Sequence, residues 1–246
     1  MTTHNIKTKL MSLRLKTSSQ NIDLIHTQVM DKNLSFLQGI ERLLDLELEQ
    51  REQARIKRCF KQSKLTSVQT IDQFDFDHHA SRKNQKHVML NLLSLEFIDK
   101  KQDIIMIGNP GVGKTFLAKC IAYAATQSGI KTLFTTTMDL INQLIAAEAD
   151  RSLLKKLHYY QSPDLLVCDE IGYLPLDAQG SNLFFQVISA RHEIKSTIIT
   201  TNRTFSDWGN VFDNTTVATA IADRLVYNSE ILIMEGNSYR KRKKNN

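Results

Sequence analysis

The stretch that decides the fold is "IIMIGNPGVGKTFLAKC", residues 104–120. It joins a short apolar run to a glycine-rich turn, and the turn to residues that favour a helix. The turn fits the pattern G-x-x-x-x-G-K-[ST], and its flanks are the strand and helix that this pattern requires. Glycines let backbone N–H groups turn inward around phosphates at a helix N-terminus, where the helix dipole favours anions. The stretch therefore predicts a nucleoside triphosphate site.

The predicted phosphate loop supplies most of the expected nucleotide contacts. Lys114 should reach the β- and γ-phosphates, and the hydroxyl of Thr115 should ligate Mg²⁺. The alternative is a chance match in a surface loop, which the correct flanks on both sides disfavour. The residues expected to bind the nucleotide are Gly108, Asn109, Pro110, Gly111, Val112, Gly113, Lys114, Thr115 and Phe116.

Downstream of this loop, apolar strands alternate with helical segments. After the first strand, "DIIMIG", further strands are expected at "KTLFTTT", "PDLLVCDE", "STIITTN" and "EILIME". Apolar strands separated by helices imply a parallel sheet that is covered on both faces. The prediction is an α/β fold, a three-layer α/β/α core of the P-loop NTPase type with a parallel five-stranded sheet.

The part of the chain before this core has a different composition. Residues 10–65 are charged and helix-favouring, with no proline and a single glycine, Gly39. Apolar residues recur there at three- and four-residue steps, which is typical of an amphipathic helix. They are Leu37, Ile40, Leu44 and Leu48. We therefore expect a small all-helical domain at residues 1–72, and the nucleotide-binding domain with a basic tail at residues 73–246.

The charge of this helical region changes sign along the chain. Acidic residues come first, and a basic stretch follows: Arg51, Arg55, Lys57, Arg58, Lys61 and Lys64. One interpretation is a solvated helix whose cations suit the negative end of the helix dipole. The other is a basic face for phosphates, and charge alone leaves both open. The net charge of +6 favours a polyanionic partner but does not locate a site.

Two carboxylates, Asp169 and Glu170, end the third apolar strand. A buried carboxylate pair is costly unless a cation or a proton compensates. Beside a phosphate-bound Mg²⁺, Asp169 would hold the metal and Glu170 would orient and deprotonate the attacking water. The alternative is a solvated pair at a strand end. The pair favours an ATPase over a metabolite kinase, whose γ-phosphate must be shielded from water.

Two further residues are candidates for the same chemistry. Asn202 ends the strand "STIITTN", where it could position the water and sense the γ-phosphate, although asparagine is also a common strand terminator. Arg224 lies on the next helix and could project into the nucleotide of a neighbouring copy. The alternative for Arg224 is a surface ion pair with Asp223 or Glu230. Contact between Arg224 and the nucleotide of a neighbouring copy requires an oligomer.

Other features exclude whole classes of protein. Cys59, Cys120 and Cys168 form no C-x-x-C pair, so neither a disulfide framework nor a zinc site is expected. His78 and His79 are adjacent and would point in different directions, which disfavours a metal site. The chain shows no signal peptide and no run of the roughly 18 apolar residues that a membrane helix needs. We expect a soluble cytoplasmic protein.

Taken together, these motifs resemble an AAA+ ATPase and, more narrowly, the IstB family of ATP-binding proteins that assist insertion-sequence transposition. The relatives of that family are the DnaC-type helicase loaders. The resemblance covers nearly the whole chain. Its most specific part is "DEIGYLPLD" followed by "NRTFSDWG", with the single tryptophan, Trp208, in the second motif.

The resemblance implies an ATP-dependent homo-oligomer that binds and deforms duplex DNA and then recruits and stimulates its transposase. It also implies the site residues: ATP and Mg²⁺ at Lys114 and Thr115, the carboxylate pair Asp169 and Glu170, the first sensor Asn202 and the arginine finger Arg224. A helicase loader, which docks a partner protein, is the principal alternative. A small-molecule kinase is the third possibility.

By the same resemblance, the helical N-terminal region contributes to DNA contact and assembly, which favours the phosphate-binding reading of the basic stretch. Cations on a duplex release counterions, so binding would weaken steeply with salt. Nothing resembles a base-reading helix, so contacts to backbone and shape are expected. The basic tail at residues 240–244 would add to this attraction if it is not simply solvated. No helical lid is predicted after the fifth strand, which leaves Arg240 as the candidate second sensor.

Overall fold

The computed structural model describes residues 3–31 and 33–239 of the chain. The chain forms two compact units, Met1–Arg58 and Cys59–Asn246. The division therefore falls earlier than the boundary at residues 72/73 that the sequence predicts. The reason is packing: Leu65 and Ile71 belong to the apolar core of the second unit, and the thiol of Cys59 donates a 3.2 Å hydrogen bond to the carbonyl of Gly129.

The first unit is helical, as predicted. Its helices are α1 (Thr3–Ser12), α2 (Lys16–Met30) and the larger part of α3 (Phe36–Gln62). Helices α2 and α3 approach closely at Gly39, where a Cβ atom would lie 2.8 Å from Cγ2 of Val29. Further along α3, the buried carboxylate of Glu47 accepts hydrogen bonds from the backbone N–H groups of Thr17 and Ser18, at 2.8 and 3.1 Å. Glu47 thus caps the first turn of α2.

The predicted helix is confirmed in α3, but its apolar stripe is exposed. The side chains of Leu37, Ile40, Leu44 and Leu48 are between 40% and 74% exposed. The face that packs on α2 carries Gly39 and Glu47 instead. Apolar periodicity identified the helix correctly, whereas the buried face depends on the close approach that glycine allows.

A parallel five-stranded sheet organises the second unit, as the sequence predicts. Its strands are β1 (Asp103–Gly108), β2 (Thr132–Thr136), β3 (Leu165–Ile171), β4 (Ser196–Thr201) and β5 (Ser229–Met234). Their order is β2-β3-β4-β1-β5, and every neighbouring pair is parallel. The strand that carries the phosphate loop, β1, is therefore an interior strand, beside the central strand β4 that ends before Asn202.

Helices cover both faces of this sheet. Three short helices precede it: α4 (Ala80–Asn84), α5 (Lys86–Leu92) and α6 (Glu96–Asp99). The longer ones are α7 (Lys114–Gln127), α8 (Thr137–Ala149), α9 (Leu153–Gln161), α10 (Ala178–Arg191) and α11 (Thr215–Tyr227). One apolar core includes Ile105 and Ile199, and another includes Ile104 and Ile198. Alternate residues of one strand thus enter opposite cores, which gives the predicted three layers.

A buried polar network closes the amino end of the sheet. Arg191 is 1% exposed, and burial lowers the pKa of its guanidinium to about 10. It donates to the hydroxyl of Thr197 and to four backbone carbonyls, those of Tyr160, Gln161, Pro163 and Ser196. Burial raises the pKa of Asp103 to about 7, although its carboxylate accepts a 2.6 Å bond from the N–H of Thr197. This network lies at the amino ends of the strands, whereas the phosphate loop lies at their carboxyl ends. We therefore assign the network a structural role.

The structure also bears on the expectations about membrane helices, metal ligands, cysteines and the adjacent histidines. Within residues 3–31 and 33–239, no helix is both long and apolar enough to cross a bilayer, and no cluster of three or more His, Cys, Asp or Glu residues could hold a metal. The three thiols are buried and free. His79 caps α4 by accepting a hydrogen bond from the N–H of Ser81, so it has a structural role.

Candidate nucleotide-binding site

The phosphate loop connects the end of β1 to the start of α7. Gly113 caps α7 with φ of 103°, a value that L-residues rarely adopt. A Cβ atom at this position would also lie 2.8 Å from Cε2 of Phe74. Gly113 is therefore required by both backbone conformation and space, and it leaves the first N–H groups of α7 without intrahelical partners.

Lys114 lies within the loop and is 9% exposed. Its ammonium group donates hydrogen bonds to the carbonyls of Gly108 and Asn109, at 2.6 and 3.0 Å. These bonds hold the charge of Lys114 against the loop backbone. An anion at the N-terminus of α7 would meet this ammonium group together with the helix dipole.

Arg82 fixes the far side of the loop, and sequence analysis did not single it out. It is 3% exposed. Its Nε and Nη2 donate to the carbonyl of Val112 at 3.1 and 2.6 Å, and its Nη1 donates to the carbonyl of Asp75 at 2.8 Å. The guanidinium carbon also lies 4.6 Å from the centre of the Phe74 ring. Arg82 thus ties the loop to residues that precede the sheet.

A pocket of about 320 Å³ adjoins the loop. Its walls include loop residues on one side and Gln69, Phe74 and Tyr239 on the other. Phe74 also packs against Phe116 of α7, with ring centres 5.9 Å apart. Gln69 contributes a side-chain amide to the lining of this pocket. Aromatic walls and a side-chain amide suit a heteroaromatic base that carries hydrogen-bonding groups.

Asp169 and Thr115 come together at the carboxyl edge of the sheet. Asp169 is the fifth residue of β3 and is 4% exposed. Its Oδ1 accepts a 3.0 Å hydrogen bond from the hydroxyl of Thr115 and a second bond from the hydroxyl of Thr200 on β4. A carboxylate beside a hydroxyl, next to a phosphate-binding loop, is an oxygen donor set that suits Mg²⁺. The residues present therefore fit the metal that the sequence predicts.

A β-bulge at Asp169 and Glu170 gives these two adjacent residues different environments. Cys168 pairs with Ile199 and Ile171 pairs with Thr201, so β3 has one residue more than β4 in this interval. Glu170 takes up the extra length with φ of 63°, a strained conformation for a non-glycine residue. The bulge buries Asp169 and exposes Glu170.

Thr200 links the two carboxylate residues. Its hydroxyl donates to Asp169 and accepts a 2.9 Å hydrogen bond from the N–H of Glu170. Thr200 is 1% exposed. The sequence gives no sign of this role, because a threonine in an apolar strand is an ordinary strand former. Only the pairing of β3 with β4 places Thr200 between the carboxylates.

Asn202 lies at the same edge of the sheet as the phosphate loop. It directly follows Thr201, which pairs with Ile107 of β1, and Gly108 comes next on β1. Asn202 is exposed. The structure therefore brings Asn202 near the loop, as the order of the motifs predicts.

Arg224 does not lie with the other candidates of its own chain. It is on the last turn of α11, and β5 begins just after that helix, with Ser229 paired to Asp103 at the start of β1. The phosphate loop follows the other end of β1, whose six residues span about 17 Å. The guanidinium donates to the carbonyl of Ala220 at 2.8 Å and lies 4.7 Å from the Phe185 ring. Arg224 can therefore meet a γ-phosphate only in another copy of the chain.

The basic stretch between Arg51 and Lys64, which is predicted to contact DNA, is exposed, but some of its side chains form ion pairs within the helix. Arg51 pairs with Glu47 at 3.1 Å, and Arg55 pairs with Glu52 at 3.4 Å. Lys57, Arg58, Lys61 and Lys64 are exposed. The role of this stretch in DNA binding stays a prediction. Arg240 and the basic tail at residues 240–244 lie outside the described residues.

The fold and the site together define a class of protein. The strand order, the phosphate loop after β1 and the two carboxylates on β3, the second neighbour of β1, are those of an AAA+ P-loop domain. Solved structures support this assignment of the fold. The crystal structure of the DnaC helicase loader matches with a TM-score of 0.54 and 24% identity, over 72% of this chain and 99% of that one. AMPPCP-bound DnaA from Aquifex aeolicus matches with a TM-score of 0.60 and 18% identity, over 74% and 56%.

Sequence comparison narrows the class to a family. Residues 8–246 match the family model described as IstB-like ATP binding protein. A protein of insertion sequence IS5376 from Geobacillus stearothermophilus, named for ATP binding, is 41% identical over 86% of this chain and 84% of its own length. Its counterpart in insertion sequence IS21 of Pseudomonas aeruginosa is 33% identical over 98% and 90%. The chain belongs to the IstB-like ATP-binding family, as its motifs predict.

Proposed function

We propose that this protein is a Mg²⁺-dependent, DNA-stimulated ATPase that assembles on duplex DNA, deforms it, and recruits and stimulates a transposase. The observation that carries the ATPase part is the arrangement of Thr115, Asp169, Thr200 and Glu170 beside a complete phosphate loop. Membership of a family whose relatives are named for insertion sequences supports the transposition part.

Binding of ATP is assigned to the loop and to the pocket beside it. The N–H groups of the loop and the ammonium group of Lys114 would hold the phosphates. The aromatic and amide walls of the adjoining pocket would hold the adenine. Thr115 and Asp169 would hold Mg²⁺, which would neutralise charge that develops on the phosphates.

Hydrolysis is assigned to Glu170 and Asn202. Glu170 is exposed at the carboxyl edge of the sheet, so its carboxylate can orient a water molecule and accept its proton. Asn202, at the same edge, would position that water and sense the γ-phosphate. Arg224 of a neighbouring copy would stabilise the charge of the transition state. The active assembly is therefore a homo-oligomer.

Thr200 provides a test of this arrangement. Changing Thr200 to valine keeps the shape of the side chain but removes the hydroxyl that serves Asp169 and the N–H of Glu170. We expect turnover of ATP to fall by about 10- to 100-fold, since partners that orient catalytic groups have effects of that size. Steady-state phosphate release measures turnover, and titration with a fluorescent ATP analogue measures binding. Thr200→Ser, which keeps the hydroxyl, should restore most activity; equal rates for the valine and wild-type proteins would contradict the assignment.

The response to duplex DNA tests the proposed function as a whole. ATP turnover is measured with and without linear duplex of mixed sequence, at equal protein and salt concentrations. We expect duplex to increase the rate, because assembly on DNA would bring Arg224 of one copy to the phosphates of the next. A rate that does not respond to duplex at any protein concentration would count heavily against the proposal.

A replicative helicase loader is the alternative function. The match to the DnaC helicase loader extends over 99% of that chain, although it shows the fold alone. A loader would prefer single strands and would dock a helicase. Competition between single-stranded and duplex DNA for the ATP-bound protein separates the two functions, since a clear preference for single strands would favour the loader.

A further inference from the structure

A second cavity of about 600 Å³ lies at the carboxyl end of the edge strand β2. Its walls come from residues 64–66 and from α7, β2, α8 and α9. All of these segments belong to the unit Cys59–Asn246. The cavity is distinct from the nucleotide pocket, and the proposed ATPase chemistry does not use it.

Positive charge dominates this cavity. Lys64, Lys119 and Lys156 line it, and each comes from a different part of the chain. Among the described residues that line the cavity, Asp139 is the one carboxylate, and it already accepts a 2.7 Å hydrogen bond from the hydroxyl of Thr136. Three lysines on one concave surface give it a positive potential, which favours a bound anion.

Two of these lysines are held in place by aromatic rings. The Nζ of Lys119 lies 5.3 Å from the centre of the Phe134 ring, and the Nζ of Lys156 lies 5.1 Å from the centre of the Tyr159 ring. Lys156 also donates a 3.0 Å hydrogen bond to Oε1 of Gln143. Ordered ammonium groups on a concave surface are the chemistry that binds the phosphates of a DNA backbone.

We propose that this lysine cavity, defined by Lys64, Lys119 and Lys156, binds phosphates of the DNA backbone. The inference rests on the proposed DNA-binding function and places the contact in the ATPase unit. Lys119 also lines the nucleotide pocket, and it follows Thr115 by one turn of α7. Occupancy of the cavity can therefore be transmitted to the ATP site through a single helix.

The test uses the full chain with Lys64 and Lys156 both changed to glutamine. Lys119 is left intact because it also lines the nucleotide pocket. Duplex affinity is measured with a non-hydrolysable ATP analogue over a series of salt concentrations. We expect affinity at low salt to fall by about 10-fold or more, and the slope of log K against log salt to become less negative by about 1.8, since each lost phosphate contact removes about 0.9.

The matched control changes Lys101 and Lys155 to glutamine. Both lysines are exposed and line neither cavity, and the double change alters net charge equally. It should leave the salt slope near the wild-type value, and both double variants should bind the fluorescent ATP analogue normally.

Three outcomes would overturn the inference. The Lys64→Gln/Lys156→Gln variant could bind duplex with wild-type affinity and salt slope, which would leave DNA binding intact but locate it elsewhere. The same variant could keep DNA binding and lose its transposase, which would make the cavity an acidic-protein site. Failure of the wild-type protein to bind duplex in any nucleotide state would instead refute the proposed function itself.

Discussion

Changing Glu170 to glutamine is expected to reduce ATP hydrolysis by about 10²- to 10⁴-fold, the usual contribution of a positioned general base. The amide keeps the size of the side chain but cannot accept a proton from water. Binding of ATP should persist, because Glu170 lies outside the phosphate loop and the backbone bond from its N–H to Thr200 is unchanged. The ATP-bound assembly should therefore accumulate on duplex DNA.

Two measurements check this expectation. Single-turnover phosphate release gives the rate of the chemical step, and electron microscopy with duplex DNA and ATP shows whether assemblies persist. Glu193→Gln is a matched control, since Glu193 is also exposed and also has a positive φ, of 58°, but follows α10 at the opposite edge of the sheet. A Glu170→Gln protein that hydrolyses ATP at the wild-type rate would remove Glu170 from the mechanism.

Changing Arg224 to alanine should lower turnover by about 10³-fold or more, because an arginine finger contributes about 10³ to 10⁵ in rate. Nucleotide binding should be retained, since Arg224 is remote from the phosphate loop of its own chain. The guanidinium packs against Phe185, so thermal unfolding is measured alongside activity to detect any loss of stability. Arg224→Lys should remain strongly impaired, since an ammonium group lacks the planar fork of the guanidinium.

A mixing experiment tests whether Arg224 acts between copies. Glu170→Gln subunits keep the finger but cannot hydrolyse ATP, whereas Arg224→Ala subunits keep the carboxylate but lack the finger. In a mixed assembly, a Glu170→Gln subunit can supply Arg224 to the intact site of its neighbour. The mixture should exceed the summed activity of its separate components. Activity no greater than that sum, in assemblies shown to contain both variants, would contradict action in trans.

Most of the architecture could be predicted from the sequence. The phosphate loop is a local motif, since its glycines, Lys114 and Thr115 are contiguous and their spacing sets the geometry. The five strands are short apolar runs, and their alternation with helices restricts the sheet to parallel pairing. Helix α9 and the short helices before β1 were not predicted, because short segments carry too little periodicity to be recognised.

The sequence alone therefore determined the fold class and the family, and it predicted the phosphate-binding residues, because each depends on residues that are close together in the chain. Only the tertiary structure decided how Thr200 joins Asp169 to Glu170, how Arg82 ties Val112 to Asp75, and that Arg224 lies away from the phosphate loop of its own chain. The same holds for the exposed stripe of α3 and for the convergence of Lys64, Lys119 and Lys156. These features depend on strand register and on contacts between distant segments, which local spacing does not encode.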